Sequence, residues 1–401
     1  MNTPTQIIIF GITGDLSSKK ILPSLFSLYA KGMLPKKVSF IGFSRRDFSK
    51  LDIESFVRDT LLPEEKREEF VKLFHYVQGD FSSLESYAHL RQLVDVIDEN
   101  FMQCSNKLYY LSVSPQYYKP IFNALKESGL SEPCSEDTGW ARILVEKPFG
   151  YDNASSKRLN LLVDKLFKSE QVFRIDHYMM KTSLQKIIES RNSGEFKRRW
   201  NSEYIKEIKI DLLETATVEN RSEFYDSLGV VYDVGQNHIL QMIALALRPL
   251  KEDETADEVQ KARESVFESL SVESESAKRA QYESYKTHKG VKNNSDTETY
   301  IDVTMHSSLP EFNGVPIRVR AGKAQPKSFT AVTVVWKDGK ESVFETPSSE
   351  SQGAYKKVLL DCMNGDQSVF TSGLESELGW KIAEEIKEVI QEKKLETYNV
   401  G

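Results

Sequence analysis

The feature that most constrains this chain is a strand broken by a glycine turn and followed by a helix. Ile7-Ile8-Ile9-Phe10 is a short apolar run, as a buried parallel strand requires. Gly11-Ile12-Thr13-Gly14 interrupts it. From Asp15 to about Gly32 the apolar positions Leu16, Ile21, Leu25, Leu28 and Tyr29 follow helical spacing. Residues 38–42 (VSFIG) then read as the next strand. Strand, glycine turn, helix and strand make a βαβ unit. Further strands are expected at 74–78, 107–112 and 142–145, with helices between them. The first half therefore reads as an α/β, Rossmann-type dinucleotide domain.

A second regime starts near residue 175. Residues 182–199 look helical, 205–213 alternate like a strand, and 231–247 read as a core helix. Residues 251–278 are highly charged, with a helical pattern that gives way to a serine-rich connector. Strands are expected at 297–307, 317–320 and 331–336, and a last amphipathic helix at 374–391. Helices mixed with antiparallel strands indicate an α+β domain with a mainly antiparallel sheet. At roughly 150 residues per domain, 401 residues predict two domains. We place them at 1–176 and 177–401.

The 53 basic and 60 acidic residues give a net charge of −7, which argues against a nucleic-acid protein. No apolar run reaches the ~18 residues of a membrane span. The amino terminus runs straight into a strand-like segment, which predicts no signal peptide. Cys104, Cys134 and Cys362 are far apart and form no CxxC pair. So odd and sparse a count fits the reducing cytoplasm.

The chemistry gathers in a few segments. Gly11, Thr13, Gly14, Asp15 and Leu16 lie where a dinucleotide fold puts its phosphate loop, although the spacing GxxGDL departs from GxGxxG. A tight strand-to-helix turn with no ligand is the plain alternative. At the end of the second strand stands Ser44-Arg45-Arg46, where NAD-preferring folds place a carboxylate. A guanidinium suits a 2′-phosphate, so the cofactor is expected to be NADP.

Lys147, in Glu146-Lys147-Pro148-Phe149-Gly150, is expected at the carboxyl edge of the parallel sheet. The Lys147-Pro148 bond can be cis or trans on sequence alone. Arg174-Ile175-Asp176-His177-Tyr178-Met179-Met180-Lys181 crowds polar groups together. If this segment opens a helix, His177 and Lys181 share one face and suit a phosphate monoester. A metal is not expected, because no second histidine sits at helical spacing. His238, in Gln236-Asn237-His238, is either a structural core histidine or a general base, since an unperturbed imidazole has a pKa of about 6.5. Asp233 and Glu214 precede it and suit sugar hydroxyls.

Together these segments resemble the glucose-6-phosphate dehydrogenase family. The resemblance is carried by GITGDLSSKK (11–20), the strand end at 42–45, GWARILVEKPFG (139–150), RIDHYMMK (174–181), DVGQNHILQ (233–241), NGVPIRVRAGK (313–323) and AYKKVLLD (354–361). They occur in the family's order and span most of the chain. The resemblance implies oxidation of glucose 6-phosphate to 6-phosphoglucono-1,5-lactone, with NADP as hydride acceptor. It implies that His238 is the general base for the C1 hydroxyl and that Asp176 orients it. His177 and Lys181 would bind the substrate phosphate, Tyr178 the substrate, and Glu214 and Asp233 its hydroxyls. Lys147 would bridge coenzyme and substrate. Lys323 and Lys327 would be further substrate-side lysines, and Arg45 would meet the 2′-phosphate. A cytoplasmic homodimer is implied as well.

The chain departs from the family in places. Met179-Met180 replaces Leu-Gly, and Ser114-Pro115 replaces paired prolines. Residues 214–226, ETATVENRSEFYD, lack the family's glycines there. From Lys323 to Ala354 the chain is far shorter, and the tail beyond the last helix is nearly absent. A trimmed dimer interface and no structural NADP site are therefore expected. Two other readings stay open: a related NAD(P)-dependent sugar or sugar-phosphate dehydrogenase, and a weakly active NADP-binding relative.

Overall fold

The computed structural model describes residues 3–135, 138–194, 196–347 and 350–400. The chain divides into two compact units. The first comprises Met1–Gly150, Lys157–His177 and Ser351–Phe370, and the second Tyr151–Ser156, Tyr178–Glu350 and Thr371–Gly401.

The first unit is built on six strands: β1 (Thr5–Phe10), β2 (Val38–Ser44), β3 (Phe74–Gln78), β4 (Asn106–Leu111), β5 (Ala141–Val145) and β6 (Val172–Arg174). They are ordered β3-β2-β1-β4-β5-β6 and pair in parallel throughout. This is the doubly wound Rossmann order, whose strand order reverses at β1 and β4. Every residue of β1, β2 and β4 is buried, which is why these strands carry no polar alternation. Successive side chains feed opposite faces. Phe10 packs on Phe43 with ring centroids 5.0 Å apart. Phe40 packs on Phe74 at 4.7 Å. Each such ring contributes roughly 2–3 kcal/mol of burial.

The helix expected over 15–32 opens instead as a π-helical turn, Ser17–Ile21, before the α-helix Leu22–Ala30. Pro23 lies at that junction, where its missing amide proton is tolerated. A late segment also joins this unit. Helix Ser351–Asn364 packs against helix Leu22–Ala30. Arg142 on β5 donates to the Cys362 and Met363 carbonyls near its end, at 2.7 and 2.8 Å. A guanidinium thus satisfies carbonyls that a helix terminus leaves without partners. Nothing in the sequence pattern announced this return. Cys104 and Cys134 are joined as a disulfide, leaving Cys362 as a buried thiol. Their spacing gives no hint of the bond, because β4–β5 pairing brings the two preceding loops together.

The second unit carries β7 (Ile205–Leu213), β8 (Leu270–Tyr282), β9 (Tyr300–Ser307), β10 (Ile317–Gly322), β11 (Phe329–Trp336), β12 (Glu341–Glu345) and β13 (Leu395–Tyr398). Their order is β12-β11-β7-β10-β9-β8-β13. Pairing is antiparallel except for β7 with β10 and β8 with β13. The sheet is therefore mainly antiparallel.

Three local expectations need correction. The serine-rich stretch after helix Ala256–Ser269 is not a connector but the strand β8. It bulges between Glu273 and Lys278 where charged residues face water on both sides. The helix expected over 182–199 is two helices, Thr182–Asn192 and Phe196–Arg199. The core helix expected over 231–247 begins as a π-helix, Val231–Ile239, and becomes α-helical only at Leu240–Leu247.

Candidate active site

In the first unit the candidate residues collect at the carboxyl ends of the parallel strands. The turn after β1 is held on both sides. Gly11 N–H donates to the Phe43 carbonyl and Gly14 N–H to the Gly11 carbonyl. Gly11 has a φ of +76°, and a Cβ there would lie 2.3 Å from the Ser112 carbonyl oxygen. Only glycine lets the loop after β1 come so close to the loop after β4. Ser17 fastens the contact, its hydroxyl hydrogen-bonded to the Gly11 carbonyl at 3.1 Å and to the Ser112 hydroxyl at 3.0 Å. Thr13, Gly14 and Leu16 are half-buried, and Asp15 is exposed and pairs with Lys19. This glycine cradle, with amide groups at a helix start, fits a pyrophosphate.

Arg45 stands exposed just past β2, its guanidinium 5.8 Å from the ring centre of Tyr117. Tyr117 is there because Ser114-Pro115, the pair that departs from the family pattern, starts the short 3₁₀ turn Pro115–Tyr117. Arg45 also lines an open cleft of about 820 Å³ with Tyr76, Gln78, Asp80 and His89. A guanidinium over an aromatic face is well placed to receive an added phosphate.

Lys147 follows β5, and its bond to Pro148 is cis. Asp176 and His177 follow β6. Asp176 is 2% exposed, and His177 stacks on Tyr355 with ring centroids 6.1 Å apart. Beside Lys147 lies a residue that the sequence reading did not single out. Glu146 is buried, and burial pushes its carboxyl up to about 7. The Tyr110 hydrogen bond and the Lys147 charge pull it down, while Asp176 pushes it further up.

In the second unit two groupings form. One is an ion cluster. Glu214 follows β7 and Lys323 follows β10, and because these strands are parallel their carboxyl ends lie side by side. Lys323 is ion-paired with Glu214, and with Asp233 at 3.1 Å. Arg221 adds a second cation 3.3 Å from Asp233. Burial works against the Lys323 charge, but Asp233 and Glu214 outweigh it and hold its pKa above the ordinary value. Tyr225, also missed by sequence reading, is buried near this lysine, with Lys323 Nζ 6.0 Å from its ring centre. Lys327 is exposed and is not among the groups that ion-pair there.

The other grouping is a stack. Tyr178 lies on the imidazole of His238 with ring centroids 3.9 Å apart. Lys181 Nζ sits 3.4 Å from the centre of the same tyrosine ring. His238 is 3% exposed. The π-helix puts it one i→i+5 turn beyond Asp233. That turn begins after Gly229, whose φ of +72° breaks the preceding helix beside Glu298. The expected pairing of His177 and Lys181 on one helix face does not occur. The Lys181 amide donates to the Tyr178 carbonyl, which closes a turn, and the helix starts only at Thr182.

Comparison with known proteins follows this geometry. The family model "Glucose-6-phosphate dehydrogenase, NAD binding domain" matches residues 8–186. "Glucose-6-phosphate dehydrogenase, C-terminal domain" matches 191–353 and 345–401. A glucose-6-phosphate 1-dehydrogenase of Borreliella burgdorferi is 34% identical over 370 residues, covering 87% of this chain and 74% of the relative. That of Leuconostoc mesenteroides is 30% identical over 464 residues, covering 99% of this chain and 94% of the relative. A solved glucose-6-phosphate dehydrogenase in complex with its substrate glucose-6-phosphate superposes with a TM-score of 0.90 at 25% identity, covering 100% of this chain and 95% of that one.

Proposed function

The chain belongs to the glucose-6-phosphate dehydrogenase family, and from that premise we propose how its residues divide the work. The activity is oxidation of glucose 6-phosphate to 6-phosphoglucono-1,5-lactone, with NADP as acceptor. The observation that carries the assignment of roles is the stack of Lys181, Tyr178 and His238. It puts a cation for phosphate and a base for a hydroxyl against one tyrosine ring.

NADP, when bound, supplies the site that accepts hydride from C1. The Gly11–Leu16 turn would hold its pyrophosphate and Arg45 its 2′-phosphate. The imidazole of His238 takes the proton of the C1 hydroxyl, which leaves the electron pair of that bond free to expel hydride. The stacked Tyr178 ring fixes the imidazole plane, so the base needs little reorganisation. Asp176 is assigned to orient and charge-stabilise that base on the strength of the RIDHY motif. Lys181, Tyr178 and His177 hold the substrate phosphate, and Lys147 serves both ligands. Glu214 and Asp233 accept hydrogen bonds from sugar hydroxyls, while Lys323 offsets their charge so that an anionic sugar can approach. Lys327, exposed to solvent, is assigned as a further substrate-side lysine. We assign residues 1–176 to the coenzyme and 177–401 to the substrate. Among the described residues no helix is long and apolar enough to cross a membrane. A cytoplasmic homodimer is the proposed working form.

Replacing His238 by Asn tests the central role. Turnover is expected to fall roughly 10²–10⁴-fold while glucose 6-phosphate still binds. Turnover within a few-fold of the parent would remove His238 from the mechanism.

A further inference from the structure

Glu146 is buried at the coenzyme edge of the first unit, and the proposed mechanism gives it no task. Its side chain and its backbone are each held by a separate tyrosine. Tyr110 on β4 donates to Glu146 Oε1 at 2.6 Å, and Tyr118 donates to the Glu146 carbonyl oxygen at 2.7 Å. Both tyrosines are fully buried. Neither hydroxyl ionises readily, because burial and then the Glu146 charge raise both well above the usual phenol value. Two more titratable groups face the carboxyl: Asp176 beyond β6 and Tyr355 on helix Ser351–Asn364. The only cation among these groups is Lys147, its neighbour in the chain.

We propose that Glu146 is a positioning residue that acts through Lys147, setting the local charge against which that lysine holds a ligand phosphate. The inference rests on the reading of Lys147 as a phosphate ligand. The two tyrosines fix the peptide and carboxyl of Glu146, so its charge changes with little movement. When the carboxyl is protonated, Glu146 no longer offsets the charge of Lys147. When it ionises, an anion stands beside the lysine and weakens its pull on a phosphate. By linkage, an anion bound at Lys147 must favour the protonated carboxyl, so binding draws a proton onto Glu146. The Glu146 carboxyl titrates near neutrality, at about 7, so the exchange falls in the working range of a dehydrogenase. Phosphate affinity is thus higher below that pH and lower above it.

Titration calorimetry of NADP⁺ and glucose 6-phosphate, each in buffers of different ionisation heat, measures the protons taken up on binding. The parent protein is expected to take up a fraction of a proton more than Glu146→Gln near neutral pH. The glutamine keeps the acceptor for Tyr110 but cannot ionise, and protons from the ligand phosphates cancel in the difference. From pH 6 to 8 the parent's affinity should fall roughly three- to tenfold more than that of Glu146→Gln, equivalent to a coupling of about half to one pK unit. Tyr110→Phe removes a bond that favours the ionised carboxyl, so it should move the proton uptake to higher pH. That second variant keeps the test open if Glu146→Gln fails to fold. Lys147→Ala separates the two claims. If it leaves both affinities unchanged, the Lys147 reading fails. If it weakens binding while the parent and Glu146→Gln show equal proton uptake and equal pH dependence, the Glu146 proposal fails.

Discussion

At the residue scale, the proposed preference for NADP rests on Arg45, exposed just past β2 with its guanidinium 5.8 Å from the Tyr117 ring centre. A basic pair stands at the end of the second strand, where NAD-preferring folds place the ribose-binding carboxylate, and this is why we propose Arg45 for the 2′-phosphate. Its loss should therefore discriminate between coenzymes. Arg45→Ala is expected to weaken NADP⁺ binding about ten- to a hundredfold, as for a lost charge-assisted contact, and to leave NAD⁺ within about twofold. Fluorescence titration with both coenzymes measures this, and equal losses for the two would remove Arg45 from 2′-phosphate recognition. The ion cluster of Lys323, Glu214 and Asp233 was legible only as three separate candidates. More than a hundred residues separate Lys323 from Glu214, and only the parallel pairing of β7 with β10 brings them together. Glu146 and Tyr225 were missed for a simpler reason. A buried carboxyl or phenol has no signature in sequence, and its chemistry comes from its neighbours.

At the scale of elements, strongly patterned segments were read well. The runs behind β1, β2 and β7 are continuous or alternating apolar stretches, and each became a strand close to its expected place. β8 was misread because glutamate and serine have low strand propensity and its first half lacks an apolar face. The two π-helical segments were also invisible, since apolar spacing does not distinguish an i→i+5 turn from an i→i+4 one over so few residues.

The element that supports His238 depends on a buried ion pair. Arg263 on helix Ala256–Ser269 meets Glu375 on helix Gly373–Gln391 at 2.7 Å, with the two side chains 1% and 0% exposed. Glu375 also accepts from Gln241 at 3.1 Å, next to the π-helix. Arg263→Leu should destabilise the second unit by roughly 3–5 kcal/mol, because it strands a buried carboxylate. Adding Glu375→Gln should recover part of the loss. Urea unfolding curves of the single and double variants measure both effects, and a single-variant loss below about 1 kcal/mol would show that Glu375 finds another partner.

At the scale of the whole molecule, the net charge of −7 excludes little on its own. Each unit carries basic side chains that we propose as ligand groups: Arg45 and Lys147 in one, Lys181 and Lys323 in the other. Local potential, not the total, decides whether anions bind. The fold class was readable because two periodicities succeed each other along the chain. The composition of the first unit was not, because helix Ser351–Asn364 returns to it from late in the sequence. Among the described residues the second unit's sheet has seven strands.

This chain oxidises glucose 6-phosphate with NADP⁺, and we propose His238 as its base. The most direct measurement is spectrophotometric NADPH formation by the purified protein with glucose 6-phosphate and, in parallel, with glucose. The account predicts steady NADPH formation with the phosphorylated sugar, a rate at least about a hundredfold lower with glucose at equal concentration, and near-complete loss of both in His238→Asn. Equal rates on the two sugars, or NADP⁺ binding with no NADPH formed from glucose 6-phosphate, would contradict it.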